Sequence, residues 1–530
     1  MMKIKYFVIA VALLSAGQAA AQETYENAKI AGEDLNGTAR YVGMGGALDA
    51  LGADLSTIGS NPAGIARFRK NKIEGTISVV SQADAAEYPH GDATKVSFDQ
   101  IGGVWALADV DGSSYINAAF NFHKSRNFNL ILSADDMFGR KSPDGSETIY
   151  QSQNKLTYMK LNNGLVCPLD DEGRVYIDKP YSSCNQLDDI YVRNLMFAAG
   201  DGQRYFYEAS GYDFDRAHKG YIGEYDFNLS GNINDRVYLG LTMGLHDVHY
   251  QHIGDYTEMM LSNPENINKL NVYDERRITG QGVDIKLGAI FRPVEYSPFL
   301  LGVTIHTPTW YDLTTSNYTE VSDGNAYAYA EESYDYKIYT PWKFGLSAGY
   351  TVGRQLALGF GFDYADYGCT KTRINDGGQY YFYDYYESSH NDDNMNEHTK
   401  RTLKGVSTLK VGAELKVTPE LALRAGYNYS TAMYDKDGFK DGTIQSNGSY
   451  ISSATDFTNW KDTNRLTCGL GYTTGNFNID LAYQYSVTKG DFCPFMGYTD
   501  NQYYDFDNVA NFVEVNNKRH QVMCTLGYSF

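Results

Sequence analysis

The sequence predicts an all-β protein: an antiparallel transmembrane β-barrel of about fourteen strands, with an N-terminal hatch (a plug) inside its lumen. Three observations predict this fold. Side chains alternate between apolar and small or polar residues along many segments, tight and long connections alternate between those segments, and an export signal precedes them.

The first 21 residues have the pattern of a signal peptide. Lys3 and Lys5 precede the apolar stretch 6–14, and the small residues Ala19, Ala20 and Ala21 follow it. We expect export and cleavage after Ala21. Every later apolar run is broken well short of the ~20 residues that a membrane-spanning helix needs.

The C-terminal segment shows the alternation most clearly, because Val522, Leu526 and Phe530 fall on one face of a strand while Gln521 and Thr525 fall on the other. Segments 408–417, 421–429 and 477–487 behave alike. An apolar face suits lipid, and a face of small and polar residues suits a crowded lumen. A soluble all-β protein also alternates, so the alternation alone does not exclude one.

The connections favour the membrane barrel. Tight turns such as Thr418-Pro419 and Gly475-Asn476 alternate with long loops, and an even strand number with this asymmetry is typical of transmembrane barrels. The expected strands are near 72–83, 96–110, 113–131, 219–231, 236–252, 279–293, 296–311, 335–352, 354–371, 400–418, 420–434, 462–474, 476–490 and 515–530. The expected long loops are near 84–95, 132–218, 253–278, 312–334, 372–399, 435–461 and 491–514.

These bounds predict a hatch over residues 22–71 and a barrel over residues 72–530, located in the outer membrane, with both chain ends on the side of the short turns. The terminal Phe530 is typical of chains that the barrel-assembly machinery recognises. Outer-membrane lipid and lipopolysaccharide are then the expected surroundings, and we expect a monomer.

Charge and spacing exclude other classes. With 45 basic and 65 acidic residues the formal net charge is −20, so a nucleic acid partner is not expected. No Ser/His/Asn set falls on one outer strand face, and we predict neither an enzyme nor a cofactor.

Two short motifs mark the hatch. Gly43, Gly45 and Gly46 form a Gly-rich stretch that lacks the preceding strand and third spaced glycine of a nucleotide loop. Asn61, Pro62 and Ala63 follow, and Pro62 restricts its own backbone and that of Asn61. These residues are candidates for the hatch and its gate, although a purely structural role explains each of them equally well.

With these motifs, the sequence resembles the FadL/TodX family of outer-membrane transporters for long-chain fatty acids and other hydrophobic compounds, in its Bacteroidetes-type form. The residues that carry the resemblance are Gly43–Gly46, Asp54–Ala63, Leu287–Pro293, Ile305–Trp310, Thr340–Lys343 and Arg424–Tyr427. The resemblance covers nearly all of the mature chain. It implies a fourteen-strand barrel plugged by an N-terminal hatch, and passive uptake in which hatch movement opens a lateral route into the membrane.

Candidate ligand contacts follow from this mechanism and from two apolar stretches in the long loops. Leu187, Ile190, Tyr191 and Leu195 lie near helical spacing, and adaptable methionines occur in the next loop. The candidates are Leu48, Leu51, Leu55, Ile58 and Ile65 in the hatch, and Leu187, Ile190, Tyr191, Leu195, Met259 and Met260 in the loops. The alternatives are packing within the plug for the hatch residues and packing against the barrel rim for the loop residues.

Three polar features leave alternatives open. The lumen charges Lys343, Arg424 and Glu414 either meet a carboxylate head group or, more often in such proteins, hold the plug by ion pairs. Cys167 and Cys184 share one outer loop and could form a disulfide in an oxidising compartment. Among His246, His249 and His252, the middle residue opposes the other two on a strand, so we predict no metal site there.

The leading hypothesis is therefore a passive transporter of hydrophobic small molecules. The alternatives are an interaction or shuttle barrel of a protein secretion system, since some family relatives carry cargo, and a haemin-type receptor. A continuous apolar tunnel would favour the transporter, and a solid lumen would favour the shuttle.

Overall fold

The computed structural model describes residues 23–109, 114–142, 144–163, 185–195, 205–263, 266–295, 297–381, 384–444, 446, 452, 454–499 and 507–530. The expected signal peptide and the expected Cys167–Cys184 disulfide lie outside the described residues. Within the part of the chain that is described, no helix is long and apolar enough to cross a membrane.

The described residues form 21 strands and six α-helices. The strands are β1 (Lys72–Ala83), β2 (Thr94–Asp109), β3 (Tyr115–Asn127), β4 (Leu130–Met137), β5 (Arg140–Lys141), β6 (Thr148–Ile149), β7 (Ala209–Ile233), β8 (Val237–Met260), β9 (Lys269–Phe291), β10 (Phe299–His306), β11 (Trp310–Ser322), β12 (Tyr327–Tyr339), β13 (Lys343–Val352), β14 (Leu356–Asp366), β15 (Lys371–Tyr381), β16 (Asp384–Asn391), β17 (Gly405–Lys416), β18 (Leu421–Ser430), β19 (Phe457–Thr474), β20 (Phe477–Cys493) and β21 (Val513–Ser529). The helices are α1 (Thr24–Ala31), α2 (Ala39–Gly43), α3 (Thr57–Ser60), α4 (Gln153–Asn162), α5 (Gln186–Asn194) and α6 (Asp393–Thr402), with 3-10 helices at Pro62–Arg67 and Tyr367–Cys369.

Nineteen of the strands form one antiparallel sheet that closes on itself, because β1 pairs with both β2 and β21. Five wall strands are built from two pieces each: β3/β4, β10/β11, β12/β13, β14/β15 and β16/β17. Pro308 and Pro341 lie at two of the breaks, where a residue without an N–H cannot continue the ladder. Counting each broken strand once gives 19 − 5 = 14 wall strands, which confirms the predicted barrel.

The outer wall is apolar, as the alternation predicts. Val522 and Leu526 are 54% and 59% exposed on β21, whereas the residue before each of them, Gln521 and Thr525, is buried. Phe477, Ile479 and Leu481 are likewise exposed on β20. Exposed apolar side chains over a closed wall require lipid around it, so the protein is a barrel of the outer membrane.

Several loops are shorter than predicted. The ladder of β11 and β12 runs from Trp310↔Tyr339 to Ser322↔Tyr327, so only 323–326 remain of the expected loop 312–334. Beyond the membrane the outward side chains become polar, as Asp312, Thr314 and Ser316 show, while the strands stay paired. The apolar alternation therefore stops before the strands do. The same holds for β8 and β9, which extend into the expected loop 253–278.

The barrel has a turn end, with the short connections 234–236, 353–355 and 475–476, and a loop end, with the long ones. The described hatch, residues 23–71, runs through the lumen between them. Tyr25 of α1 stacks on Tyr434 near the loop end, and the 3-10 helix Pro62–Arg67 leads into β1 at the turn end. The first described helix, α1, packs beside α6 at the loop end. The expectation that both chain ends lie at the turn end was therefore wrong for the N-terminal side of the hatch.

Candidate functional site

The Gly-rich stretch of the hatch touches the wall where the wall itself has glycines. An added Cβ on Gly426 would lie 2.3 Å from the Gly45 nitrogen, and one on Gly359 would lie 1.8 Å from the Ala47 oxygen. Gly45 has φ +63°, a conformation that favours glycine. These glycines therefore allow the hatch backbone and the wall backbone to pack closely together, and this contact seals this part of the lumen.

Asn61, Pro62 and Ala63 form the start of the 3-10 helix at the turn end of the hatch. The Asn61 side chain accepts a hydrogen bond from the Ala63 N–H at 3.2 Å, and Pro62 occupies the first helical turn. Asn228 of β7 donates to the Pro62 oxygen at 3.4 Å. The geometry gives these residues a capping and docking role, and they lie outside the lining of the cavity described below.

Buried ion pairs join the lower hatch to the wall. Glu414 of β17 lies between Arg40 of α2, at 2.9 Å from Nε, and Arg424 of β18, at 2.7 Å. Arg424 also contacts Asp480 at 2.6 Å. Glu414 and Arg424, both predicted as lumen charges, therefore belong to one network that includes a hatch residue.

The third predicted lumen charge lies elsewhere. Lys343 of β13 contacts Glu33 of the hatch at 2.5 Å and lines the central cavity. Lys410, a neighbour in the wall, pairs with Asp49 at 2.9 Å and with Asp363 at 2.7 Å. Each of these lysines has a carboxylate partner and is committed to holding the hatch.

The predicted apolar ligand residues are packed into protein. Leu48 and Leu51 belong to a cluster with Val42 and Met44 inside the lower hatch. Leu55, Ile58 and Ile65 form a second cluster with Phe68 and wall residues. None of these five residues lines the cavity, so in this state they stabilise the hatch.

The loop candidates are packed as well. Leu187, Ile190 and Tyr191 are buried in an apolar cluster at the loop end, against which Leu195 and Met260 pack. Met259 is half-buried on β8. This arrangement caps the barrel with α4 and α5.

A cavity of about 400 Å³ lies between the upper hatch and the wall. Aromatic and aliphatic side chains line one part of it, including Ile30, Leu132, Tyr250, Phe457 and Trp460. A volume of this size is in the range of pockets for small organic ligands. The sequence reasoning missed this site because its lining comes from the hatch and from strands far apart in the chain.

Three arginines at the cavity form what we call the arginine cluster: Arg126 of β3, Arg465 of β19 and Arg519 of β21. Arg126 lies 3.2 Å and Arg519 3.9 Å from the carboxylate of Asp34. Arg465 donates to Asn428 at 2.9 Å, and among the described residues it has no carboxylate within ion-pair distance. One carboxylate among three guanidinium groups leaves a net positive charge facing the cavity.

Asp34 responds to this charge. Burial opposes ionisation of its carboxyl group, but Arg126, Arg519 and a hydrogen bond from the Asn127 N–H outweigh burial and lower its pKa below the ordinary value. The carboxylate is therefore ionised at neutral pH, and it neutralises only part of the arginine cluster.

The cavity reaches a break in the third wall strand. β2 pairs with β3 only from Gln100 to Asp109, so the described ladder leaves 94–99 without a β3 partner. β3 ends at Asn127 and β4 leans inward, where Arg519 donates to the Asn129 oxygen at 2.7 Å. Residues 124–128 at the break line the cavity. Side chains rather than a backbone ladder close this part of the wall, as in the 3.0 Å contact from Lys124 to Ser97.

The predicted histidines divide as expected from their parity. His246 and His252 are buried and face inward, and His249 is exposed. His252 contacts Asp274 at 2.7 Å, whereas His246 faces a different carboxylate, that of Asp284. The three residues do not form one site.

Comparison with known proteins gives likeness in fold. No family model and no curated protein sequence matches the chain. A FadL homologue of Pseudomonas aeruginosa is similar over 97% of this chain and 100% of its own, with 12% identity and a TM-score of 0.49. The toluene transporter TbuX of Ralstonia pickettii (10% identity, TM-score 0.47) and the toluene transporter TodX of Pseudomonas putida (12% identity, TM-score 0.45) are similar over 94% of this chain and 99% of theirs.

Proposed function

We propose that this protein is a passive outer-membrane transporter of the FadL type for apolar molecules with an anionic group, such as long-chain fatty acids. The observation that carries the proposal is the cavity, which combines an apolar wall with the arginine cluster and reaches the break in the third wall strand. An acyl chain fits the first surface, and a carboxylate fits the second.

The arginine cluster supports an anionic head group better than the lumen charges chosen from the sequence. Lys343 and Arg424 already contact carboxylates at 2.5 and 2.6 Å, whereas Arg465 faces the cavity with neutral partners. A hydrogen bond from an arginine to an anion contributes about 1.5–3 kcal/mol. An anionic ligand would therefore gain most of its polar binding energy at this cluster.

The route has three steps. Ligand enters at the loop end past the cap of α4 and α5, binds in the cavity, and leaves through the wall between β2 and β3 into the membrane. Residues 94–99 of β2 have no backbone hydrogen bonds to β3, and this supports the last step. The side chains that close the wall there can move apart without breaking a β-ladder. Movement of the hatch would widen the same route.

The test measures binding of a fluorescent fatty acid analogue to the purified barrel, with identification of co-purified lipids by mass spectrometry. We expect R465Q/R519Q to weaken binding at least about tenfold, since each arginine contributes a charged hydrogen bond. A fatty alcohol of equal chain length should bind both proteins equally. R277Q is the matched control, because Arg277 is 65% exposed on the opposite face of the wall.

Two outcomes would contradict the proposal. If the wild-type protein binds no acyl compound saturably, the transporter is excluded and a shuttle barrel becomes the better explanation. If R465Q/R519Q weakens the acid and the alcohol alike, the arginines stabilise the wall rather than recognise the head group.

A further inference from the structure

A second group of polar residues lies in the wall below the arginine cluster, and five of its six members also line the cavity. It comprises two histidines, three carboxylates and one lysine from four neighbouring strands, which we call the histidine–carboxylate cluster: His123 of β3, Glu224 and Asp226 of β7, His246 of β8, and Asp284 and Lys286 of β9. All six face inward. The proposed transport function does not use them.

The charges of this cluster do not balance. The Lys286 ammonium contacts Glu224 Oε1, lies 2.9 Å from Asp226 Oδ1 and lies 3.4 Å from Asp284 Oδ1. Three carboxylates and one ammonium leave a net charge of −2 if both imidazoles are neutral. Buried charges without compensation are strongly unfavourable, so we expect either a bound cation or added protons to balance the cluster.

The second oxygen of each carboxylate points toward an imidazole without reaching hydrogen-bond distance. His246 Nε2 lies 3.4 Å from Asp284 Oδ2, and His123 lies 3.6 Å from Glu224 Oε2 and 3.5 Å from Asp226 Oδ2. Ordinary hydrogen bonds of this kind are about 2.7–3.2 Å long. Two ligands of a tetrahedral zinc ion, at about 2.0–2.1 Å from the metal, are separated by about 3.3 Å.

Some buried polar atoms of the cluster have no hydrogen-bond partner. His246 Nε2 and Asp226 Oδ2 are buried and have no hydrogen-bond partner. The other ring nitrogen of His246, Nδ1, lies 3.4 Å from the Tyr311 hydroxyl.

We propose that Glu224, His246 and Asp284 bind one divalent transition-metal ion of the zinc class, which enters from the cavity. One ligand atom from each of these residues lies within 4.8 Å of the others. The second possible triple, His123, Glu224 and Asp226, shares Glu224, so a single ion is expected. Its two positive charges would neutralise the cluster, and Lys286 would keep its contacts with the remaining oxygens.

The experiment uses the full-length barrel purified in detergent and treated with a chelator. Co²⁺ is titrated in and followed by its visible absorption, and Zn²⁺ is then added as a competitor. We expect one ion per chain. H246Q and E224Q should each weaken binding more than about 100-fold, since loss of even a second-shell partner costs about 10–100-fold.

The control is H249Q, because His249 lies three residues from His246 on the outer face of the same strand and should leave binding unchanged. K286M separates a metal site from an ion-pair network. Removal of the competing ammonium should tighten Co²⁺ binding, whereas an ion-pair network would simply lose stability. Heat-modifiable gel migration shows for each variant that the barrel is folded.

Absence of saturable Co²⁺ or Zn²⁺ binding to the wild-type protein would overturn the proposal, and protonated imidazoles would then balance the charge. Equal binding by H246Q and H249Q would also overturn it. Neither result bears on the fatty acid measurements, which use different residues.

Discussion

The two halves of the hatch meet the same wall in different ways. The lower half, residues 39–67, is joined to it by backbone contact with wall glycines and by buried ion pairs. The upper half, residues 24–36, also contacts the wall, for example through the Lys343–Glu33 ion pair, but it lines the cavity together with the wall. One short segment therefore forms both a seal and a binding surface, and a ligand in the cavity meets a break in the wall before it meets the seal.

The largest expected effect breaks the seal. Replacing Glu414 by Ala removes the carboxylate that Arg40 and Arg424 share, although Arg424 keeps Asp480 and the partly exposed Arg40 keeps Asp54. Loss of these charged hydrogen bonds should weaken docking of the lower hatch by about 3 kcal/mol. We expect single-channel recordings in planar bilayers to show frequent ion-conducting openings. Glu420→Ala, an exposed change in the adjacent turn, is the control. A silent Glu414→Ala channel would mean that backbone contacts alone hold the seal.

A smaller effect is expected from the close approach of the backbones. In Gly359→Ala the new methyl group would meet the Ala47 oxygen, so the hatch must shift, at a cost of about 1–3 kcal/mol. Limited proteolysis should then cut the hatch faster than in the wild-type protein. Gly75→Ala is the matched control, because its Cβ would make only ordinary contacts, with the Gln100 oxygen at 3.7 Å and Ile101 Cγ1 at 3.9 Å. Equal cleavage rates in the two variants would show that the wall glycines are not needed for docking.

The smallest effect concerns the upper half and acid pH. Because the folded pKa of Asp34 is lowered, its ion pairs stabilise the hatch fully above the ordinary pKa of 3.8, and this contribution is lost as the pH falls below that value. Hydrogen exchange of hatch amides, corrected for intrinsic rates, should show a loss of about 1 kcal/mol. Asp34→Asn should show this loss already at neutral pH, and the exposed Asp92→Asn should not. Protection in Asp34→Asn that still falls with acid would assign the effect to another group.

Much of the barrel could be predicted because lipid imposes a simple pattern. Each wall residue faces either lipid or lumen, so Leu526 and Thr525 could be assigned from parity alone. The strand ends could not, since polar residues such as Asp312 and Thr314 continue the ladder outside the membrane. Breaks such as that between β3 and β4 have no proline to mark them.

The candidate site was harder to predict. Arg126, Arg465 and Arg519 come from β3, β19 and β21, and only barrel closure brings them together around Asp34. Inward parity could have marked Arg465 and Arg519 as lumen residues, but not as neighbours. For the same reason the sequence left the apolar hatch residues open between ligand contact and packing of the plug: a sequence shows that a side chain is apolar, but not whether protein or ligand covers it.

The position of Glu23 constrains how the molecule is made. Its carboxylate contacts Lys440 at 2.8 Å close to the loop end, although the chain must continue from there to β1 at the opposite rim. The hatch therefore crosses the full length of the lumen, and we expect it to be enclosed as the first and last strands join. We therefore expect a folded domain fused ahead of Thr24 to hinder the pairing of β1 with β21 that closes the barrel.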